Sequence, residues 1–284
     1  MIRPILKKNA TLGIVAPSTK RTKEKLDEGL KKLRDLGYKL KVAPSCYESF
    51  ILNLSGTDDS RSHDINMMFS DSEVDAIICM GGGYGTPRIV DKLDYELIKK
   101  NPKPFIGFSD ITLLLNAITK ECGFVTYHGP MVCGDFSYGY TDIGYQSFLD
   151  TTQKSDIAIA CTDDVIVINS GKAEGILMGG NLSLLDVLIS SPYMFDPAGK
   201  ILLIEDVHEK NYRLDRMLQK MRLAGIFDKL EGVIIGGISG EETPQKGSLE
   251  IFKEFFKEFN IPVLFNLPIG HVTPRLTVPI GGYC

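Results

Sequence analysis

The chain has no tryptophan, only four histidines, and no two cysteines at a CxxC spacing. It has no apolar run near the ~20 residues that a membrane-spanning helix needs. It carries no low-complexity tract and no repeat with a period of 20–50 residues. Basic charge is not in excess: 32 Lys and Arg stand against 36 Asp and Glu, a net charge of -4. That balance argues against a non-specific nucleic-acid binder, which needs a basic face. It also removes the polybasic route to an anionic membrane. The six cysteines, Cys46, Cys79, Cys122, Cys133, Cys161 and Cys284, are scattered. In a chain of this size they read as reduced thiols in a cytoplasmic setting, not as a disulfide framework. No His/Cys cluster has zinc-ligand spacing, so neither a metal nor a cofactor is expected. The opening residues MIRPILKKNATLGIVAPS contain no long apolar stretch ahead of a small-residue cleavage site, and read as mature protein.

What is present is alternation. Apolar runs at residues 11–16, 38–43, 74–80 and 105–108 read as strands, and the run at 74–80 is continuous enough to be buried on both faces. Between and after them, residues 23–36, 58–70, 88–93 and 111–118 have helical spacing, with a loop around Pro102 and Pro104. The pattern predicts a parallel sheet with helices on both faces, in a first domain of residues 1–130. Residues 131–165 read as a linker with a short helix at 146–153. A second unit, residues 166–284, alternates again: strands at 175–178, 201–204, 232–237 and 262–267, and helices at 182–190, 214–223 and 248–259.

The most informative stretch is Gly107-Phe108-Ser109-Asp110-Ile111, where a short strand runs into a helix with a serine on the turn. This is the shape of a nucleophile elbow, which exposes the hydroxyl at the sheet edge and turns the next N–H toward the atom attacked. The G-x-S-x-G form is not matched, because Ile111 stands at the last glycine position. The competing reading is an N-cap. A nucleophilic serine needs a base, and the base needs an orienting acid. His271, in a Pro/Gly-rich loop past a strand, is one candidate base and His128 its competitor; His63 and His208 are weaker. Glu205 and Asp206 follow a buried apolar run and could orient an imidazole, or could cap a helix. Gly81-Gly82-Gly83-Tyr84-Gly85 closes a strand. No Lys-Ser/Thr follows, so it is not a P-loop, and it fits an oxyanion hole better than a phosphate cradle. Gly179-Gly180-Asn181 reads as a turn and cap.

Taken in order, Gly82-Gly83-Tyr84-Gly85, Ile106-Gly107-Phe108-Ser109-Asp110, His128-Gly129-Pro130, Gly180-Asn181-Leu182-Ser183, Ile204-Glu205-Asp206 and Pro268-Ile269-Gly270-His271 resemble the LD-carboxypeptidase family of serine peptidases (peptidase family S66). That family includes murein tetrapeptide carboxypeptidases and microcin C self-immunity proteins. The resemblance runs from Gly13 to about Gly282. It implies an N-terminal flavodoxin-like or Rossmann-like domain, a C-terminal swivelling β/α domain, and a homodimer. It implies Ser109 as nucleophile, His271 as general base and Glu205 as orienting acid, with the backbone N–H groups of Gly83 and Asp110 as oxyanion hole. The implied reaction is hydrolysis of an L,D-amide bond, releasing the terminal D-alanine of a cytoplasmic murein tetrapeptide. Gly82 and Tyr84 are candidate substrate contacts, and Arg88, Arg213 and Arg275 are candidates for the substrate carboxylate. A microcin-immunity hydrolase of aminoacyl-nucleotide conjugates is the alternative within the family. A non-catalytic cytoplasmic ligand-binding protein is the alternative outside it, should Ser109, Glu205 and His271 not converge.

Overall fold

Most helices of the first half start where a side chain takes up a free N–H. In a computed structural model that describes residues 1–154, 158, 164–239 and 246–284, strand β1 (Thr11–Val15) leads to helix α1 (Lys23–Asp35). The Thr22 side chain caps α1 by accepting from the Lys25 N–H, and Leu26, Leu30 and Leu33 form its buried face. After β2 (Lys39–Val42), Thr57 caps α2 (Asp58–Ser70) in the same way. β3 (Ala76–Cys79) is buried at every position. Then come α3 (Tyr95–Lys100), β4 (Phe105–Gly107), α4 (Thr112–Cys122) and β5 (Thr126–His128). Helix α5 (Asp142–Gln153) leads to the second half: β6 (Ile166–Asn169), β7 (Ile176–Asn181), α6 (Leu182–Ile189), β8 (Lys200–Val207), α7 (Asn211–Leu223), β9 (Gly232–Ser239), α8 (Lys246–Phe256), β10 (Val263–Phe265) and β11 (Val278–Ile280).

Two sheets result. The first has the order β2-β1-β3-β4-β5-β11, parallel except for β11, so its first five strands follow the flavodoxin-like order. The second has the order β6-β10-β9-β8-β7, parallel except for β6. The protein is therefore of the α/β class read from the sequence, with a Rossmann-like N-terminal sheet and a C-terminal β/α unit. β11 pairs antiparallel with β5, so residues 278–280 return the chain to the first sheet.

The sheets are joined through α4. Asn116 donates from Nδ2 to the Gly179 carbonyl at 3.0 Å and accepts from the Gly179 N–H at 2.9 Å. Thr112 Oγ1 accepts from the Asn181 N–H at 3.0 Å. The approach is close enough that a Cβ on Gly180, whose φ is +137°, would stand 2.7 Å from Thr112 Oγ1. Gly179-Gly180-Asn181 is thus the end of β7 and a contact surface between the halves, not a turn.

Several local expectations are corrected. Residues 88–93 are not an α-helix but fall across two 3₁₀ turns, Thr86–Arg88 and Val90–Lys92. The helix lies further on, as α3, in a stretch read as the approach to a loop. Its six residues are too few to show a period, and Asp94 starts it by capping the Leu97 N–H. The Ser109–Ile111 segment is a 3₁₀ turn and α4 begins at Thr112. The short strands β6 and β11 escaped the reading. Within residues 131–165, α5 begins at Asp142, capped by Thr141, earlier than the expected 146. Residues 155–157 and 159–163 of that segment, Cys161 included, lie outside the described residues. The other five cysteines are free thiols.

Candidate active site

Ser109 stands at the carboxyl end of β4 with φ +64°, an uncommon conformation for a residue with a side chain. The 3₁₀ turn it opens has no side-chain cap, so the N-cap reading does not hold. Its hydroxyl instead lies 3.2 Å from His271 Nε2. The turn is held by its neighbour. Buried Asp110 accepts from Ser18 Oγ at 2.5 Å and from the Thr86 N–H at 3.0 Å, while Thr86 Oγ1 donates to the Asp110 carbonyl at 2.7 Å. Burial pushes the Asp110 carboxyl up, against the pull of those hydrogen bonds. Asp110 thereby ties the loops after β1 and β3 to the serine turn. The glycine loop after β3 packs directly on it: a Cβ on Gly82 would lie 3.0 Å from Ser109 Cβ and 3.5 Å from the Asp110 nitrogen. Arg21 donates to the Gly82 carbonyl at 2.8 Å. Fully buried Arg61 donates to the carbonyls of Pro17 and Gly85.

The second half contributes a charge. At the end of β8 the pairing with β9 shifts register between Ile204 and Asp206. Two successive carboxylates are buried there and engage different partners. Glu205 Oε2 accepts from His271 Nδ1 at 2.7 Å, taking the imidazole in the tautomer that leaves Nε2 to face Ser109. Burial pushes the Glu205 carboxyl up, but the hydrogen bond from His271 and the electrostatic pull of the neighbouring His128 and His271 imidazoles outweigh it and hold the carboxyl at about 2. Asp206 instead accepts from Asn181 Nδ2 at 3.1 Å and from the Ser183 N–H and hydroxyl, both at 2.9 Å. Burial, and then the Glu205 charge, raise its carboxyl to about 6. His271 follows Gly270, which has φ +94° and sits so close to the acid that a Cβ there would lie 2.4 Å from Glu205 Oε2.

Ser109, Glu205 and His271 are therefore brought into one hydrogen-bonded chain from two sheets. The other residues singled out from the sequence stand apart from that chain or at its edge. Gly83, with φ +113°, follows Gly82 in the loop. Exposed Tyr84 donates its N–H to Thr19 Oγ1 at 3.0 Å. Each candidate arginine already has a carboxylate partner. Arg88 grips Asp58 through two bonds of 2.8 and 2.7 Å, and Arg213 meets Glu209 at 2.9 Å. Arg275 packs on the residue that precedes the serine. It pairs with Asp135 at 2.7 Å and lies 3.6 Å over the Phe108 ring, whose centroid is 4.9 Å from that of His271. His128 is fully buried beside Glu205, with Nε2 3.7 Å from Oε1. Exposed His63 and the loop residue His208 are not among these contacts. The sequence reading missed Arg21, Arg61 and the bracing role of the Asp110 carboxylate. A polar loop after the first strand of a parallel sheet was the available signal for Arg21.

Two α/β halves with mainly parallel sheets, meeting at a serine–imidazole–carboxylate chain, have the architecture of a two-domain serine hydrolase. Residues 12–129 match the model of the LD-carboxypeptidase N-terminal domain, and residues 174–284 that of the LD-carboxypeptidase C-terminal domain. The chain belongs to this family, the S66 serine peptidases. It is 36% identical to a probable murein peptide carboxypeptidase of Bacillus subtilis, over 97% of this chain and 88% of the relative. It is 29% identical to the microcin C7 self-immunity protein MccF of Escherichia coli, over 94% of this chain and 86% of the relative. Among solved structures it resembles MccF in complex with glutamyl sulfamoyl guanosine, with a TM-score of 0.89 at 26% identity, covering 99% of this chain and 93% of that one. It also resembles a muramoyltetrapeptide carboxypeptidase from Oxalobacter formigenes, with a TM-score of 0.83 at 28% identity, covering 96% and 93%.

Proposed function

We propose that the protein is a cytoplasmic serine carboxypeptidase that removes the terminal D-alanine from a murein tetrapeptide, with Ser109, His271 and Glu205 as its catalytic triad. The observation that carries this reading is the chain of two hydrogen bonds, 3.2 Å from Ser109 Oγ to His271 Nε2 and 2.7 Å from His271 Nδ1 to Glu205. His271 takes the hydroxyl proton as Ser109 Oγ bonds to the scissile carbonyl carbon. The carbonyl π pair moves to oxygen, where the Gly83 and Asp110 N–H groups receive it; one such donor is typically worth ~2.7–4 kcal/mol in the transition state. Collapse breaks the C–N bond, and His271 gives its proton to the departing amine of D-alanine. Water then attacks the acyl ester, His271 accepting its proton and returning one to Ser109. Glu205, ionised at neutral pH because its carboxyl is held at about 2, stabilises the imidazolium in both halves of the cycle.

The murein assignment is supported by the 36% identity to the Bacillus subtilis relative. The likeness to MccF with a sulfamoyl nucleoside supports a second reading, hydrolysis of an aminoacyl-nucleotide conjugate. Mass spectrometry of the pure protein, incubated separately with murein tetrapeptide and with an aminoacyl sulfamoyl adenosine, decides between them. Loss of D-alanine from the tetrapeptide alone is the expected result. Cleavage of the conjugate alone selects the second reading, and cleavage of neither removes both.

A further inference from the structure

Glu205 has two oxygens, and the proposed mechanism uses one. Among the described residues Oε1 has no hydrogen-bond partner although Glu205 is wholly buried, and a buried carboxylate oxygen left unpaired is costly. The polar atom facing it is His128 Nε2, 3.7 Å away on a side chain that is also wholly buried. Among the same residues neither ring nitrogen of His128 has a hydrogen-bond partner either. The last residue of β5 and the end of β8 thus turn two unpaired polar groups toward each other across the junction of the sheets.

We propose that His128 is a positioning residue for the triad: its Nε2–H holds the second oxygen of Glu205, so that the carboxylate is gripped by an imidazole on each side. The role rests on the reading of His271 as general base. The surroundings leave His128 this partner. β7 presents Gly180, where a Cβ would lie 3.3 Å from His128 Cδ2, and β4 leads to Phe108, whose ring centroid is 5.7 Å from that of His128. In the ladder, β5 sets His128 beside Gly107 and Val278. The titratable groups around the shared carboxylate are His128, His271 and Asp206, and Asp206 is turned to Asn181 and Ser183. Arg275 lies over the Phe108 ring.

The arrangement has a consequence for the base. A carboxylate satisfied from both sides gives only part of its charge to His271. Remove the His128 donor, and all of that charge falls to His271, which then holds its proton more tightly. The base is protonated at a higher pH, and the acid limb of the pH–rate profile moves up.

The test compares wild type with His128→Gln, His128→Asn and His128→Leu. One readout is kcat and KM on murein tetrapeptide between about pH 5 and 9. The other is the rate at which a fluorophosphonate labels Ser109, which needs no knowledge of the substrate. His128→Leu is expected to lose about tenfold to a hundredfold in kcat and in labelling rate, the ratio that a lost hydrogen bond to a charged group corresponds to. KM stays near its wild-type value and the acid limb moves up. Glutamine places an N–H near the position of Nε2 and restores both rate and limb; asparagine, one bond shorter, does not. Wild-type rates and limb in folded His128→Leu overturn the role, as does equal behaviour of the glutamine and asparagine variants. That pair decides the matter if His128→Leu does not fold. A wild type that is neither labelled nor active overturns the proposed function and this role with it. A labelled, active wild type beside an unaffected His128→Leu overturns this role alone.

Discussion

The first sheet positions Ser109 with backbone, whereas the second positions Glu205 with charge. Ser109 is held at φ +64° by a turn that Asp110 braces to two neighbouring loops and that the glycine loop packs against. A side chain in that region costs on the order of 1–3 kcal/mol, and surrounding contacts maintain it. Glu205 needs no strained backbone. It is wholly buried, and its ionised form persists because two imidazoles flank it. An error in the first half displaces an atom; an error in the second leaves a dry charge without its counterpart. The contact at Asn116, Thr112 and Gly179–Asn181 keeps the two in register.

The sharpest separation of the two comes from Ser109→Gly. Turnover should fall by a factor on the order of 10⁶, as it does when a triad serine is lost. The same variant should melt at a higher temperature, because glycine adopts positive φ without strain. Kinetics and calorimetry on one sample check both, and residual turnover above a few per cent removes Ser109 from the nucleophile role. Next in size is Glu205→Gln, expected to lower kcat by about 10⁴ because the imidazolium loses its partner. Unaltered kinetics there would hand the orienting role to Asp206. Asn116→Ala acts on the join. It strands the N–H and carbonyl of Gly179 and should cost about 1–3 kcal/mol in urea unfolding. Full stability in that variant would mean that the halves are held together elsewhere.

The smallest effect is a slope. The Asp206 carboxyl rises from its ordinary 3.8 to about 6 on folding, so its contribution to stability is full below 3.8 and is lost as pH rises through about 6. Glu205 runs the other way. Its carboxyl falls from 4.5 to about 2, so its contribution is present above 4.5 and is lost as pH falls toward 2. Asp206→Asn should therefore flatten the change in stability between pH 3.8 and 6 while leaving the acid loss in place, as urea midpoints across that range will report. An unchanged profile would show that Asp206 titrates alike in the folded and unfolded chain.

Much of this was legible because it is local. The continuous apolar run that became β3, the spacing of Leu26, Leu30 and Leu33, and the serine between strand and helix all follow from short-range periodicity or turn chemistry. What escaped had no local signature. Strands β6 and β11 have four and three residues, and pairing partners rather than pattern make them strands. The buried network of Ser18, Asp110, Thr86 and Arg61 joins residues up to 92 positions apart. The sequence shows such residues only as separate polar side chains.

By itself the sequence determined the α/β class, the alternation of strands and helices, and the short list of side chains able to do nucleophilic chemistry. Those properties depend on neighbours three or four residues away. Local pattern left two adjacent acids open and only the resemblance chose between them; the tertiary structure turns Glu205 to His271 and Asp206 to Asn181 and Ser183. Side-chain direction at the end of β8 depends on a register shift against β9, and the approach of the two sheets depends on glycines at β7 that admit α4. Both are set by long-range packing, which gives the serine, the imidazole and the carboxylate a common meeting point that no local stretch of chain contains.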